Sequence, residues 1–150
     1  MTDIPKPSGK IRWIVCALLF AAVVLSYIDR LVLPTLKPDL QQRYGWTERG
    51  YADLAIWFQA GYGIAYVLFG RLIDRIGARA GYAVAVTLWT IGHVAHIFFT
   101  STAGMLIARI PLALGEAGTF PAAIAATNEW FPKKERALAI GIFNAGSNVG

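Results

Sequence analysis

Arg109 and Glu116 stand inside an apolar helix pattern that runs from Ala108 to Ala137. Seven residues apart at about 100° per residue, they return to one face of a helix, roughly 10 Å apart along its axis. One cavity can hold both. A charged side chain at the centre of a bilayer costs about 2.5–3.5 kcal/mol on insertion scales, so it persists only with a partner, water or a ligand. The pair therefore reads as chemistry: a cation to hold an anion, and a carboxylate that can take up a proton. The structural alternative is an ion pair that only fixes helix packing.

The elements that must position these charges follow from the residues around them. Gly115, Ala117 and Gly118 are small enough to let neighbouring backbones approach, and Pro111 and Pro121 each remove a helical N–H. Such a helix belongs inside a bundle. It ends at Glu129-Trp130-Phe131-Pro132-Lys133-Lys134-Glu135-Arg136, where an aromatic pair meets a basic loop, the pattern of a cytoplasmic membrane interface.

Composition agrees. Of 150 residues 56% are hydrophobic and only 15% charged, against about a quarter charged in an ordinary soluble domain. The fold class expected is all-α and integral to the membrane. A net charge of +5 would point to nucleic acid in a soluble protein, but here the basic residues flank apolar runs, so topology explains them and no nucleic-acid partner is expected. The single Cys16 excludes an intrachain disulfide. His93 and His96 are three apart with no third ligand in the sequence around them, so they read as interhelical hydrogen-bonding or pore-lining groups; no metal and no cofactor is expected. An enzyme would need a nucleophile with a base at usable spacing, and none is visible.

In chain order, residues 1 to 10 are a polar, flexible tail with Lys6 and Lys10. Apolar spans are expected at about 12–36, 54–70, 80–100 and 103–127, with a fifth begun at 138–150. A signal peptide is the alternative for the first, set aside because the run is long and three more spans follow. Residues 37–51 read as a loop carrying the interfacial aromatics Tyr44, Trp46 and Tyr51, with a capped helix start at Thr47. In the second span Gln59, Tyr62, Gly63, Tyr66 and Gly70 form a polar, aromatic and small stripe that must face protein or water. Arg71 to Arg79 reads as a short turn, and Ser101-Thr102 as a tight, uncharged connection.

Lysines and arginines divide nine to three between the two sides, which sets the N-terminus in the cytoplasm of a multi-pass protein of the inner membrane. The remaining two, Arg30 and Arg109, are intramembrane and both nearer the outer half, positions from which they can meet across a central cavity.

The turn Gly70-Arg-Leu-Ile-Asp74-Arg75-Ile-Gly77-Ala78-Arg79 resembles the loop signature between the second and third helices of the major facilitator superfamily, with Ala78 where that loop often has a basic residue. Together with Tyr27-Ile-Asp29-Arg30, Arg109, Gly115-Glu116-Ala117, Phe120-Pro121-Ala122 and Trp130-Phe131-Pro132, the chain from Trp13 onward is similar to the anion:cation symporters, and within them to hexuronate transporters. Independently of the resemblance, Arg75 at a helix C-terminus offsets the macrodipole and Gly77 permits a tight reversal. The resemblance implies that Asp74, with Arg75, Gly77 and Arg79, gates the cytoplasmic side. It implies that Arg30 and Arg109 bind the anion, that Asp29 and Glu116 couple protons, and that Tyr27 and Tyr62 bond substrate hydroxyls. Ser147, with Asn144 and Asn148, is a weaker substrate-binding candidate.

The function expected from this is proton-coupled symport of a hexuronate or related sugar acid, by a chain that is the N-terminal portion of a two-half bundle whose C-terminal half is missing. A truncated, non-transporting remnant and a carrier of another organic anion are the alternatives. A small four-helix multidrug exporter matches the span count but has no need of the loop signature.

Overall fold

The apolar run that begins at Ile11 forms a single long helix in the computed structural model, which describes residues 9–149 and is all-helical among them. Residues 1–8 of the expected tail, with Lys6, and the last residue of the fifth span, Gly150, lie outside the described residues. Helix α1 is Ile11–Tyr44. It runs on past the expected boundary at 36, through Pro34 and Pro38, and so replaces most of the expected 37–51 loop. Each proline forfeits one N–H, opposite the carbonyls of Arg30 and Pro34, but the end is well closed: Gly45 adopts φ 67 and donates its N–H to Gln41 O at 3.0 Å. Lys37 Nζ and Gln41 Nε2 then both reach the carboxylate of Glu48, at 2.7 and 2.8 Å.

Thr47 starts the next helix as expected, its Oγ1 accepting from Gly50 N–H at 3.0 Å. Trp46, expected at the membrane interface, is buried and donates Nε1–H to Thr100 O at 3.2 Å, which ties this loop to the one before α3. Helix α2, Glu48–Phe98, is broken at Gly77 (φ 83, ψ 163), a backbone region open essentially only to glycine. The break makes two arms, 48–76 and 78–98. The expected turn over Arg71–Arg79 thus contracts to one residue, with helix on both sides of it. Ala78 N–H, freed at the start of the second arm, meets Glu129 Oε1 at 3.4 Å.

Helix α3, Thr102–Trp130, is capped by Ser101, whose Oγ accepts from Gly104 N–H at 3.1 Å. It packs along both arms of α2, and small residues set the separation. A Cβ at Gly92 would fall 2.6 Å from the Leu112 backbone, one at Gly115 would meet Ala85 O at 2.5 Å and the Trp89 backbone, and one at Gly118 would strike the Phe69 ring. The glycines foreseen on α3 are therefore the crossing points that fix its register on α2.

Helix α4, Lys133–Asn144, and a 3-10 turn, Ala145–Asn148, follow. They pack on α1, where Leu19, Val23, Ala123 and Phe143 form one cluster and Cys16, Phe131 and Ala139 another. Arg12 pairs with Glu135 at 3.0 Å, its guanidinium 5.9 Å from the ring centres of both Trp13 and Phe131. Among the described residues two helices, Ile11–Tyr44 and Glu48–Phe98, are long and apolar enough to cross a membrane by length and composition. The faces they expose carry large apolar side chains, among them Ile14, Leu18, Leu25, Ile64 and Ile97.

Candidate functional site

Ser26, Asp29 and Arg30 lie within little more than one turn of α1, and this turn faces α2 and α3. Glu116 is the most deeply buried charged residue among the described residues, 1% exposed. Its Oε1 accepts from Ser26 Oγ at 2.5 Å and from Arg30 Nε at 2.7 Å. The partner of Glu116 is thus Arg30, 86 residues away in sequence, and not Arg109 on its own helix. Two turns separate Arg109 from Glu116, roughly 10 Å of axial rise, which is too far for direct contact although the face is shared.

Arg30 is held from three directions. Besides Glu116, the rings of Tyr27 and Tyr62 lie against its guanidinium at 5.0 and 4.7 Å, from α1 and the first arm of α2. The two tyrosines expected to contact substrate hydroxyls therefore brace Arg30. Tyr62 also continues an aromatic series through Tyr66 to Phe120 and Phe143, with centroids 6.5, 6.4 and 5.8 Å apart, so these two residues of the stripe read on the second span pack on protein, whereas Gln59 and Gly63 are exposed.

Arg109 is in a different condition. It is 9% exposed, its guanidinium sits 4.7 Å from the centre of the Phe58 ring, its buried Nε has no hydrogen-bond partner, and among the described residues it makes no ion pair. An uncompensated buried cation is costly and calls for an anion. Arg30 and Arg109 line one cleft of about 200 Å³, with Tyr51, Gln59, Leu33 and Pro34 among its walls. A second cleft of about 330 Å³ touches Arg109 from the other side, but Trp57, Ile64, Leu106 and Ile110 make it apolar and it offers no second cation. An anion that answers Arg109 is better served in the first.

Asp29 turns away from this cleft toward the second arm of α2. Its Oδ2 accepts from Trp89 Nε1–H at 3.0 Å and lies 3.1 Å from His93 Nε2. His96, one turn on, places Nδ1 2.6 Å from Gly92 O. Among the described residues no group of three or more His, Cys, Asp or Glu is placed to hold a metal ion.

Ser147 is not brought to the cleft. It sits in the 3-10 turn and donates Oγ–H to Asn144 O at 2.8 Å. Asp74, Arg75 and Arg79 are exposed near the Gly77 break, and among the described residues they form no ion pair. The residues that sequence reasoning passed over are Ser26, Phe58 and Trp89. Ser26 had a signal, since it falls one turn before Arg30 on an apolar helix; Phe58 and Trp89 had none, being ordinary apolar residues until the packing sets them beside a charge.

Residues 18–150 match the Major Facilitator Superfamily. This chain belongs to that superfamily. Among curated members it is 32% identical over 140 residues to the galacturonate transporter of Dickeya chrysanthemi, covering 93% of this chain and 41% of that protein. It is likewise 32% identical over 140 residues to the hexuronate transporter of Escherichia coli (strain K12), covering 93% of this chain and 32% of that one. To the D-galactonate transporter of Escherichia coli O6:H1 it is 32% identical over 155 aligned positions, 99% of this chain and 35% of the relative. The chain thus spans between 32% and 41% of the length of these relatives. Members with such names are transporters and not enzymes, and a major facilitator chain of this kind is a membrane protein.

Proposed function

We propose that these helices belong to a secondary transporter that carries an organic anion, a hexuronate or related sugar acid, together with protons. The observation that carries the reading is Arg109, a buried guanidinium without a counter-ion among the described residues, at the wall of a cleft that it shares with Arg30. A guanidinium keeps its proton and offers a planar fork that matches a carboxylate, so a sugar acid is a fitting occupant. Glu116 supplies the proton site. When ionised it accepts from both Ser26 and Arg30; an arriving substrate carboxylate competes for the Arg30 guanidinium, and loss of that partner lets Glu116 take up a proton. Proton and anion are thereby linked through one arginine. The relatives named for galacturonate, hexuronate and galactonate support the substrate class.

The test is uptake of labelled galacturonate by the protein in proteoliposomes. Accumulation above the external concentration under an inward proton gradient, and its loss when a protonophore collapses that gradient, is the result expected. Accumulation that follows a sodium gradient instead would overturn proton coupling, and failure with galacturonate, glucuronate and galactonate alike would overturn the substrate class.

In the membrane we place α1, the two arms of α2 and α3 as four spans and α4 as the start of a fifth, with the N-terminus in the cytoplasm. The basic residues at the Gly77 break and around Lys134 support this side. A cysteine at Ser101 should react with an impermeant thiol reagent added outside cells, and one at Lys134 should not. The reverse labelling would invert the topology.

A further inference from the structure

The side chains around the cleft shared by Arg30 and Arg109 divide by what they can give and what they can take. A guanidinium has N–H donors and no acceptor, so the two arginines can hold a carboxylate but cannot receive the hydrogen of a hydroxyl group. Leu33, Pro34, Ala55 and Phe58, also in the wall, are apolar. That leaves Tyr51 and Gln59, the residues of this wall whose side chains carry an oxygen, and each can both donate and accept. Tyr27 and Tyr62 are not in the wall; their rings lie against Arg30.

We infer that Gln59 and Tyr51 are the specificity-determining residues of this cleft, and that they select a polyhydroxylated acid over a bare carboxylic acid by bonding its hydroxyl groups. The inference rests on the proposed function and adds to it the means by which the sugar is read. A sugar acid brings several O–H donors that must find acceptors once it leaves water, and an acceptor left out costs affinity. The apolar residues of the wall suit its C–H faces.

The placement of the two residues assigns them different parts of the ligand. Tyr51, Ala55, Phe58, Gln59 and Tyr62 recur at i, i+4, i+7, i+8 and i+11, one face of the first arm of α2. Phe58 and Tyr62 each have a guanidinium 4.7 Å from the ring centre, Arg109 on the first and Arg30 on the second. A carboxylate held between the arginines is therefore level with residues 58–62. Gln59, exposed at that level, meets the hydroxyl nearest the carboxylate. Tyr51 stands eight residues earlier, roughly 12 Å along the axis, and meets the remote end. Its ring is steadied from α1 by Lys37, whose Nζ is 4.7 Å from the ring centre and 2.7 Å from Glu48 Oε2. Ala55, one turn from each, leaves room between them.

The test is calorimetric binding to the purified protein of galacturonate and of cyclohexanecarboxylate, which has a carboxylate on a six-membered ring and no hydroxyl. The unmodified protein should bind galacturonate about tenfold more tightly or better. Gln59→Leu and Tyr51→Phe remove the polar group and keep most of the side-chain volume. Each should weaken galacturonate by about three- to tenfold and should not weaken cyclohexanecarboxylate, and the losses should multiply in the double variant. Equal losses for both acids would make the residues supports of the fold, and unchanged galacturonate binding would remove them from the site; either result overturns the inference while the arginines keep their role. If the unmodified protein binds galacturonate no better than cyclohexanecarboxylate, hydroxyl reading is overturned and anion binding stands. If it binds neither acid, the proposed function falls and the inference with it.

Discussion

Arg109→Lys is expected to weaken binding of galacturonate by about tenfold to a hundredfold while leaving the fold intact. Lysine keeps the charge and much of the stem but replaces the planar fork by a point charge, so one of two parallel charge-assisted hydrogen bonds to a carboxylate is lost. Such a bond contributes about 1.5–3 kcal/mol, and each 1.4 kcal/mol or so is a factor of ten in affinity. The site is suited to show the loss in full, because Arg109 is buried, has no competing ion pair among the described residues, and lies 4.7 Å from the centre of the Phe58 ring. Arg30→Lys is the comparison. Arg30 is already engaged by Glu116 and two tyrosines, so its replacement should disturb coupling more than affinity. Equilibrium binding of labelled substrate to the purified protein measures both. An unchanged affinity in Arg109→Lys would remove Arg109 as the anion holder, whatever happened at Arg30.

The second large effect belongs to Glu116. In Glu116→Gln the amide oxygen can still accept from Ser26 and Arg30, so the hydrogen bonds that organise the site survive while the charge that must be neutralised in each cycle does not. This imitates the protonated state permanently. Accumulation driven by a pH gradient should fall to the equilibrium level, with internal substrate no higher than external. Exchange of internal for external substrate should persist, since exchange requires no net proton release. Both activities are measured in the same proteoliposomes. Normal gradient-driven accumulation by the Gln variant would end the proton role of Glu116. Loss of exchange as well would identify the contact with Arg30 as a packing ion pair, whose rupture leaves a partly buried cation uncompensated.

The sequence alone determined the helical class, the charges set within apolar runs and local devices that begin and end helices. Thr47 caps where a short hydroxyl side chain precedes a helix, and Gly77 breaks α2 where only glycine tolerates the backbone. All of these are local, decided within about four residues. Local rules also misled: two prolines and a run of polar residues after position 36 look like a loop, yet two lost N–H groups are a small defect in a helix otherwise bonded from Ile11 to Tyr44. What only the tertiary structure decided is which charge meets which. Helical periodicity fixes the face on which Arg109 and Glu116 lie, but it is silent about the rotation and axial register of the helices opposite. Those are set by backbone approach at Gly92 and Gly115, where one added carbon would push α2 and α3 apart. With that register in place Glu116 falls to Arg30 and Ser26, Arg109 is left facing an open cleft, and Asp29 finds His93 across the bundle.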